Sequence, residues 1–155
     1  MTASSLTIIY SSFSGHTEYV IDVIEATLKQ SLPALVIRRI RGEQATREDL
    51  EKAETLLLGS ATWNTGGAEG QLNPYMHELL TEKAKNITLT GKPMAIVSLG
   101  DDRYYYTARC TEAFLRFLRE SGGKQLLPPL IVVNEPYGQE ERINRWAEKL
   151  AAGLK

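Results

Sequence analysis

Short apolar runs alternate with helically spaced apolar positions along this chain. Leu6-Thr7-Ile8-Ile9-Tyr10 reads as a buried strand. From Thr17 to Gln30, Val20, Ile21, Val23, Ile24 and Leu28 recur at helical spacing, and Pro33 supplies a stop. Ala34 to Ile40 reads as a second strand, with Arg38 and Arg39 pointing to an edge position. Thr46 before Arg47-Glu48-Asp49 starts a short helix over 46–53, because acidic groups favour a helix N-terminus. Thr55 to Gly59 is a third strand, apolar on both faces, followed by a loop over 59–70 rich in Gly, Thr and Asn. A helix over 71–82 tolerates Pro74 only in its first turn. Met94 to Leu99 is a fourth strand, and 100–106 a polar, aromatic loop. Ala108 to Glu120 is a helix striped by Phe114, Leu115, Phe117 and Leu118 and stopped by Gly122-Gly123. Leu126 to Val133 is a fifth strand, irregular at Pro128 and Pro129. Gln139 to Leu154 closes the chain as an amphipathic helix carrying Ile143, Trp146, Leu150 and Leu154.

Five strands alternating with helices predict an α/β protein, a three-layer α/β/α sandwich around a five-stranded parallel sheet. In such sheets ligands bind beyond the carboxyl ends of the strands. The informative residues are therefore those after strands one, three and four.

Size and charge narrow the classes. At 155 residues the chain suits one domain over 1–155, with enough core to fold without a metal or disulfide. Its net charge of -1 argues against nucleic acid as a partner, because phosphate recognition leaves a basic excess. No stretch approaches the ~18–20 apolar residues of a membrane span, and Met1 to Ser5 lacks a basic signal-peptide start. The expectation is a cytoplasmic protein without membrane partners. The single cysteine, Cys110, allows no internal disulfide and reads as a small packed hydrophobe. Asp101-Asp102 has no His or Glu partner beside it and is discounted as a metal site.

After the first strand stand Ser11-Ser12-Phe13-Ser14-Gly15-His16-Thr17. A helix start offers free N–H groups and a positive dipole end, which suits a phosphate. Ser12, Ser14 and Thr17 add hydroxyls, and Gly15 lets the backbone curl into an anion nest. An ordinary serine cap accounts for the same residues. His16 reads as a solvated loop residue. The loop matches neither G-x-G-x-x-G nor G-x-x-x-x-G-K-[ST], which sets aside the common dinucleotide and P-loop cradles. After the third strand, Trp63 is either half-buried packing or a planar wall for an aromatic ligand, where offset stacking adds ~0.5–1.5 kcal/mol beyond area burial. After the fourth, Tyr104-Tyr105-Tyr106 cannot all enter one core, so at least one faces the crevice.

These three loops, in this order, resemble those of the flavodoxins. Ser12-Phe13-Ser14-Gly15-His16-Thr17 is similar to the family's T-x-T-G-x-T, Gly59-Ser60-Ala61-Thr62-Trp63 to its G-[ST]-x-T-W, and Leu99-Gly100-Asp101-Asp102-Arg103-Tyr104 to its G-x-G-D-x-x-Y. The resemblance spans strand one to the last helix and, without an insertion in the fifth strand, fits the short-chain form. It implies the sheet order 2-1-3-4-5 and FMN as cofactor. By resemblance Ser12, Ser14, Thr17 and the backbone of Phe13, Gly15 and His16 hold the phosphate. Trp63 and Tyr104 cover the two ring faces. Ala61, Thr62, Asn64, Thr65, Gly66, Leu99, Gly100, Asp101 and Tyr106 meet the ribityl chain and ring edge. The protein supplies no acid, base or nucleophile, because the chemistry belongs to the flavin.

The resemblance implies an electron-transfer protein rather than an enzyme. It is expected to work as a low-potential carrier, cycling mainly between neutral semiquinone and hydroquinone. Aromatic walls and a phosphate held without lysine disfavour the reduced anion. A carbonyl at Trp63-Asn64 turned toward N5 stabilises the semiquinone, less readily with Asn at 64 than with glycine. Partners are a reductase and an acceptor enzyme, and the chain is expected to be a monomer. It lacks the strong acidity usual in the family, so steering toward a basic partner is expected to be weaker. The competing expectation is an NAD(P)H-dependent reductase of the same fold, acting on a quinone or other small acceptor through a pocket opened by 64–70. A signalling receiver domain is disfavoured, because Ser11-Ser12 and Gly59-Ser60 stand where it needs acids.

Overall fold

The computed structural model describes residues 4–63, 71–101 and 109–155. Strand β1 (Ser5–Ser11) leads into helix α1 (His16–Ser31), followed by β2 (Val36–Arg41), α2 (Arg47–Lys52) and β3 (Leu56–Trp63). A short β4 (Gln71–Leu72) precedes α3 (Pro74–Glu78), which runs on as a π-helical turn over Leu79–Lys83. Then come β5 (Pro93–Gly100), α4 (Cys110–Ser121), β6 (Lys124–Gln125), β7 (Leu130–Val133) and α5 (Glu140–Gly153).

The sheet order is β2-β1-β3-β5-β6, with β7 continuing beside β5. Numbered as five main strands this is 2-1-3-4-5, the expected order. All of these pairings are parallel. The register puts Ser11 beside Ser60 and Ser60 beside Ser98, so three serines cross the sheet in one row near its carboxyl edge.

Alternation along the strands feeds two cores. Leu6, Ile8, Tyr10, Leu57, Ala95 and Val97 pack under α1 and α5, through Val20, Ile24, Ile143, Trp146 and Leu150. Ile9, Leu56, Leu58, Met94 and Ile96 pack on the other face under α2, α3 and α4, through Leu50, Met76 and Phe114. Each fully buried Leu, Ile or Phe stabilises the fold by about 1.5–3 kcal/mol, so these two layers hold the sheet. The Trp146 indole N–H donates to the Pro128 carbonyl, tying α5 to the break in the last strand.

The helix ends follow local chemistry. Thr46 caps α2 in a reciprocal capping box with Asp49. Gly122 ends α4 at φ 82°, a left-handed position that glycine adopts without strain. Edge strand β2 carries Arg38, Arg39 and Arg41, and each is ion-paired: to Asp49, to Asp22 and Glu25, and to Glu18.

Three expectations need correction. β3 does not stop at Gly59 but runs to Trp63, because β5 and β4 offer it hydrogen-bonding partners. Gln71 and Leu72 are not helical; they pair antiparallel with Trp63 and Thr62. The helix starts at Pro74, capped by Asn73, whose side chain accepts from the Tyr75 N–H. The fifth strand is two pieces, since Pro128 and Pro129 lack the N–H groups a ladder needs.

Candidate functional site

The carboxyl ends of β1, β3 and β5 bring the predicted segments to one edge of the sheet. The chain leaves β1 at Ser11, crosses 12–15 and enters α1 at His16. Gly15 takes φ 88°, a left-handed conformation that favours glycine. It is the N-cap residue and brings no side chain of its own, and a Cβ built there would meet nothing within 4 Å among the described residues. Nothing among these residues crowds this position.

Ser12 organises this turn. Its Oγ accepts from the Gly15 N–H at 3.1 Å and the Glu18 N–H at 3.4 Å. An oxygen that accepts twice keeps its own proton to donate, so the Ser12 hydroxyl can point an O–H at an anion. The cap and the phosphate expectations are thus compatible at this residue. Ser14 is exposed and Thr17 is buried at 1% exposure, so only one of these two hydroxyls stands in the open. Residues 11–17 contain no lysine or arginine, leaving backbone, hydroxyls and helix dipole as the available anion donors.

Aromatic rings flank the turn. Phe13, exposed at 58%, meets Tyr75 with centroids 5.6 Å apart. His16 meets the edge of Tyr137, which also packs on Tyr19. His16, read as solvated, is thus half-buried against a ring. The Tyr19 hydroxyl donates to Glu140 Oε2 at 2.5 Å. That bond holds the Glu140 carboxyl below its ordinary range and pushes the Tyr19 phenol up.

Ala61 pairs with Leu99 as the last parallel contact between β3 and β5. Beyond it Thr62 and Trp63 turn to β4, and Gly100 and Asp101 end β5 beside β7. The structure thereby brings Ala61, Thr62, Leu99, Gly100 and Asp101, and the backbone of Trp63, to the edge that carries Ser12 to Thr17. Asn64, Thr65, Gly66, Tyr104 and Tyr106 lie outside the described residues.

Sequence reasoning missed a buried polar cluster beneath this edge. The Asn73 N–H donates to Ser60 Oγ at 3.1 Å. The Cys110 N–H donates to Thr62 Oγ1 at 3.3 Å, and its thiol donates to the Ser60 carbonyl at 3.5 Å. Burial pushes the Cys110 thiol up, which keeps it protonated and unreactive. On either side of Ser60, Ser11 Oγ and Ser98 Oγ are buried without a partner among the described residues. The Asn73-Pro74 pair, a cap before a first-turn proline, was the one local signal of this cluster.

Among the described residues, no group of three or more His, Cys, Asp or Glu could hold a metal ion, and no helix is long and apolar enough to cross a membrane.

Comparison with known proteins agrees with this architecture. Probable flavodoxin 2 of Bacillus subtilis (strain 168) is 24% identical over 144 residues, covering 89% of this chain and 87% of that protein. Probable flavodoxin 1 of the same strain is 30% identical over 115 residues, covering 74% and 68%. The crystal structure of oxidised flavodoxin 1 from Bacillus cereus superposes with a TM-score of 0.86 at 24% identity, covering 98% of this chain and 100% of that one. The flavodoxin family model matches residues 8–146, and with three strand-end loops on one edge of a 2-1-3-4-5 sheet the chain belongs to the flavodoxin family.

Proposed function

We propose that this chain binds FMN at the carboxyl edge of its sheet and carries single electrons between a reductase and an acceptor enzyme. The observation that carries the reading is the start of α1: a left-handed Gly15 at the N-cap and a Ser12 hydroxyl that accepts twice, from the Gly15 and Glu18 N–H groups. These features fit a terminal phosphate. The Ser12 and Ser14 hydroxyls and the N–H groups of Phe13, Ser14, His16 and Thr17 would hold it, with the Thr17 side chain buried behind them.

When bound, FMN supplies one- and two-electron redox chemistry that no side chain can perform. The chain's own part is to bind and to bias. Trp63 and Tyr104 would exclude water from the ring faces. Backbone groups of Ala61, Thr62, Gly100 and Asp101, with Asn64, Thr65, Gly66, Leu99 and Tyr106, would meet the ring edge and ribityl chain. The anion cradle contains no lysine, so the phosphate charge stays uncompensated by side chains and opposes a further negative charge nearby. That bias favours work at low potential, between the one-electron and two-electron levels. The Trp63-Asn64 carbonyl is the group assigned to the ring N5. The working protein is read as a cytoplasmic monomer that meets its redox partners transiently.

The test is an anaerobic, stepwise reduction of the FMN-loaded protein followed in the visible spectrum. A long-wavelength blue band that rises and then falls is expected. Direct passage to the bleached spectrum, or rapid bleaching by NAD(P)H alone, would instead make the chain a two-electron reductase.

A further inference from the structure

Loops 64–70 and 102–108 lie outside the described residues, but their flanks meet at one buried cluster. The first loop leaves β3 at Trp63 and returns at Gln71, two residues before Asn73. The second leaves β5 after Asp101 and returns at Arg109, one residue before Cys110. Asn73 caps α3, and Cys110 opens α4. Both reach back to β3. The Asn73 N–H finds Ser60 Oγ, the Cys110 N–H finds Thr62 Oγ1, and the Cys110 thiol finds the Ser60 carbonyl. Ser60 completes the set by donating to the Ala61 carbonyl at 2.9 Å.

Burial gives these bonds their weight. Ser60 and Cys110 are 0% exposed, Asn73 3% and Thr62 9%. N–H groups at helix starts have no partner within the helix, and a buried one without a partner is costly. The ends of α3 and α4 are therefore anchored to β3 at two places. The phosphate turn uses none of these bonds; among the described residues Ser12 Oγ accepts from the Gly15 and Glu18 N–H groups instead.

We propose that Ser60, Thr62, Asn73 and Cys110 are positioning residues that fix the end of β3 and the starts of α3 and α4 as one unit beside the flavin ring site, independently of the phosphate cradle. The inference rests on the FMN reading above. On this account Cys110 is a hydrogen-bonding pin rather than a redox thiol. Thr62 does the central work, because it lies one residue before Trp63 and holds the first residue of the helix that follows the tyrosine loop.

The test compares wild type with Thr62→Val, Thr62→Ser, Cys110→Ala and Ser12→Ala. Three affinities are measured: FMN, riboflavin, and inorganic phosphate on the flavin-free protein. Thr62→Val keeps the side-chain shape and removes the acceptor. It is expected to weaken FMN and riboflavin by the same factor, about tenfold, as for one stranded buried donor. Phosphate affinity should stay at the wild-type value, and the height of the blue band in stepwise reduction should change. Thr62→Ser restores the acceptor and should restore both flavins. Cys110→Ala removes only the thiol donor and should repeat the pattern more weakly, giving an answer even if Thr62→Val fails to fold. Ser12→Ala should do the opposite, weakening FMN and phosphate and sparing riboflavin. Wild-type affinity for both flavins in Thr62→Val and Cys110→Ala would overturn the proposal. So would loss of phosphate binding in step with riboflavin, which would mark general unfolding. Failure of the wild type to bind FMN would overturn the functional reading itself.

Discussion

The two halves of the candidate site are built on opposite plans. The turn before α1 is made from neighbours: its side-chain hydrogen bonds join residues three and six positions apart. The end of β3 is made from strangers: its bonds span 13, 48 and 50 positions. The first half is open, with Phe13 and Ser14 exposed. The second is closed, and no residue of its cluster exceeds 9% exposure. A local turn costs little chain entropy to form and can yield to a ligand. A non-local cluster forms only with the whole fold and then holds its shape. One half can adapt locally, while the other keeps its shape as long as the fold does.

The largest expected effect probes the buried end of β1, just before the open turn. A Cβ on Gly42 would stand 2.2 Å from Ser11 Oγ but 3.6 Å from Ser11 Cβ. Gly42→Ala should therefore destabilise by about 1–3 kcal/mol, the range for overpacking. Ser11→Ala should be close to neutral, since that buried hydroxyl has no partner among the described residues to lose. Their combination should recover most of the Gly42→Ala loss, because the clashing atom is gone. Urea denaturation of the four proteins measures this as a double-mutant cycle, and simple additivity would contradict it.

A smaller effect is expected in the open half. Ser12→Ala should cost about 1 kcal/mol, the usual worth of a capping hydroxyl. Its neighbours can turn to water, so no large term follows. A thermal melt that fell as far as for Gly42→Ala would erase the distinction between the buried strand end and the open turn.

The smallest effect is on pH dependence beside the open turn. Glu140 titrates below its ordinary value because Tyr19 donates to it. Its contribution is present above the unfolded carboxylate value and is lost as pH falls through the folded one. Tyr19 titrates above its ordinary value, so its share is present below the unfolded phenol value and is lost as pH rises through the folded one. Both groups are only partly buried, so solvent screens the pair and the change is slight. Tyr19→Phe should flatten the acid limb and the alkaline limb of a stability–pH profile together, whereas an unchanged profile would show that the pair contributes nothing measurable.

The same contrast decides what could be read from the chain. Ser12, Gly15 and Thr17 announce the turn because hydroxyls, glycine and a following helix lie side by side in sequence. Helix and strand types follow from apolar spacing for the same reason. The length of β3 was not legible. Gly59 and the polar residues after it look like a loop, and only the partners in β5 and β4 make them a strand. Asn73-Pro74 did carry a helix start, but the apolar spacing over 71–82 drew the boundary earlier. The bond from Cys110 to Thr62 crosses 48 residues and leaves no periodic trace. Nor does any residue pattern mark the π-helical turn at Leu79–Lys83.

The arginines of β2 have a consequence for colloidal behaviour. An exposed sheet rim is a template on which another chain can add a strand, the first step toward fibrous aggregates. Here the rim strand holds Arg38, Arg39 and Arg41 in ion pairs with Asp49, Asp22, Glu25 and Glu18. An incoming strand would have to strip those pairs and set its own side chains against three guanidinium groups. The row therefore acts as a guard against polymerisation, protecting the side of the sheet farthest in strand order from β6 and β7.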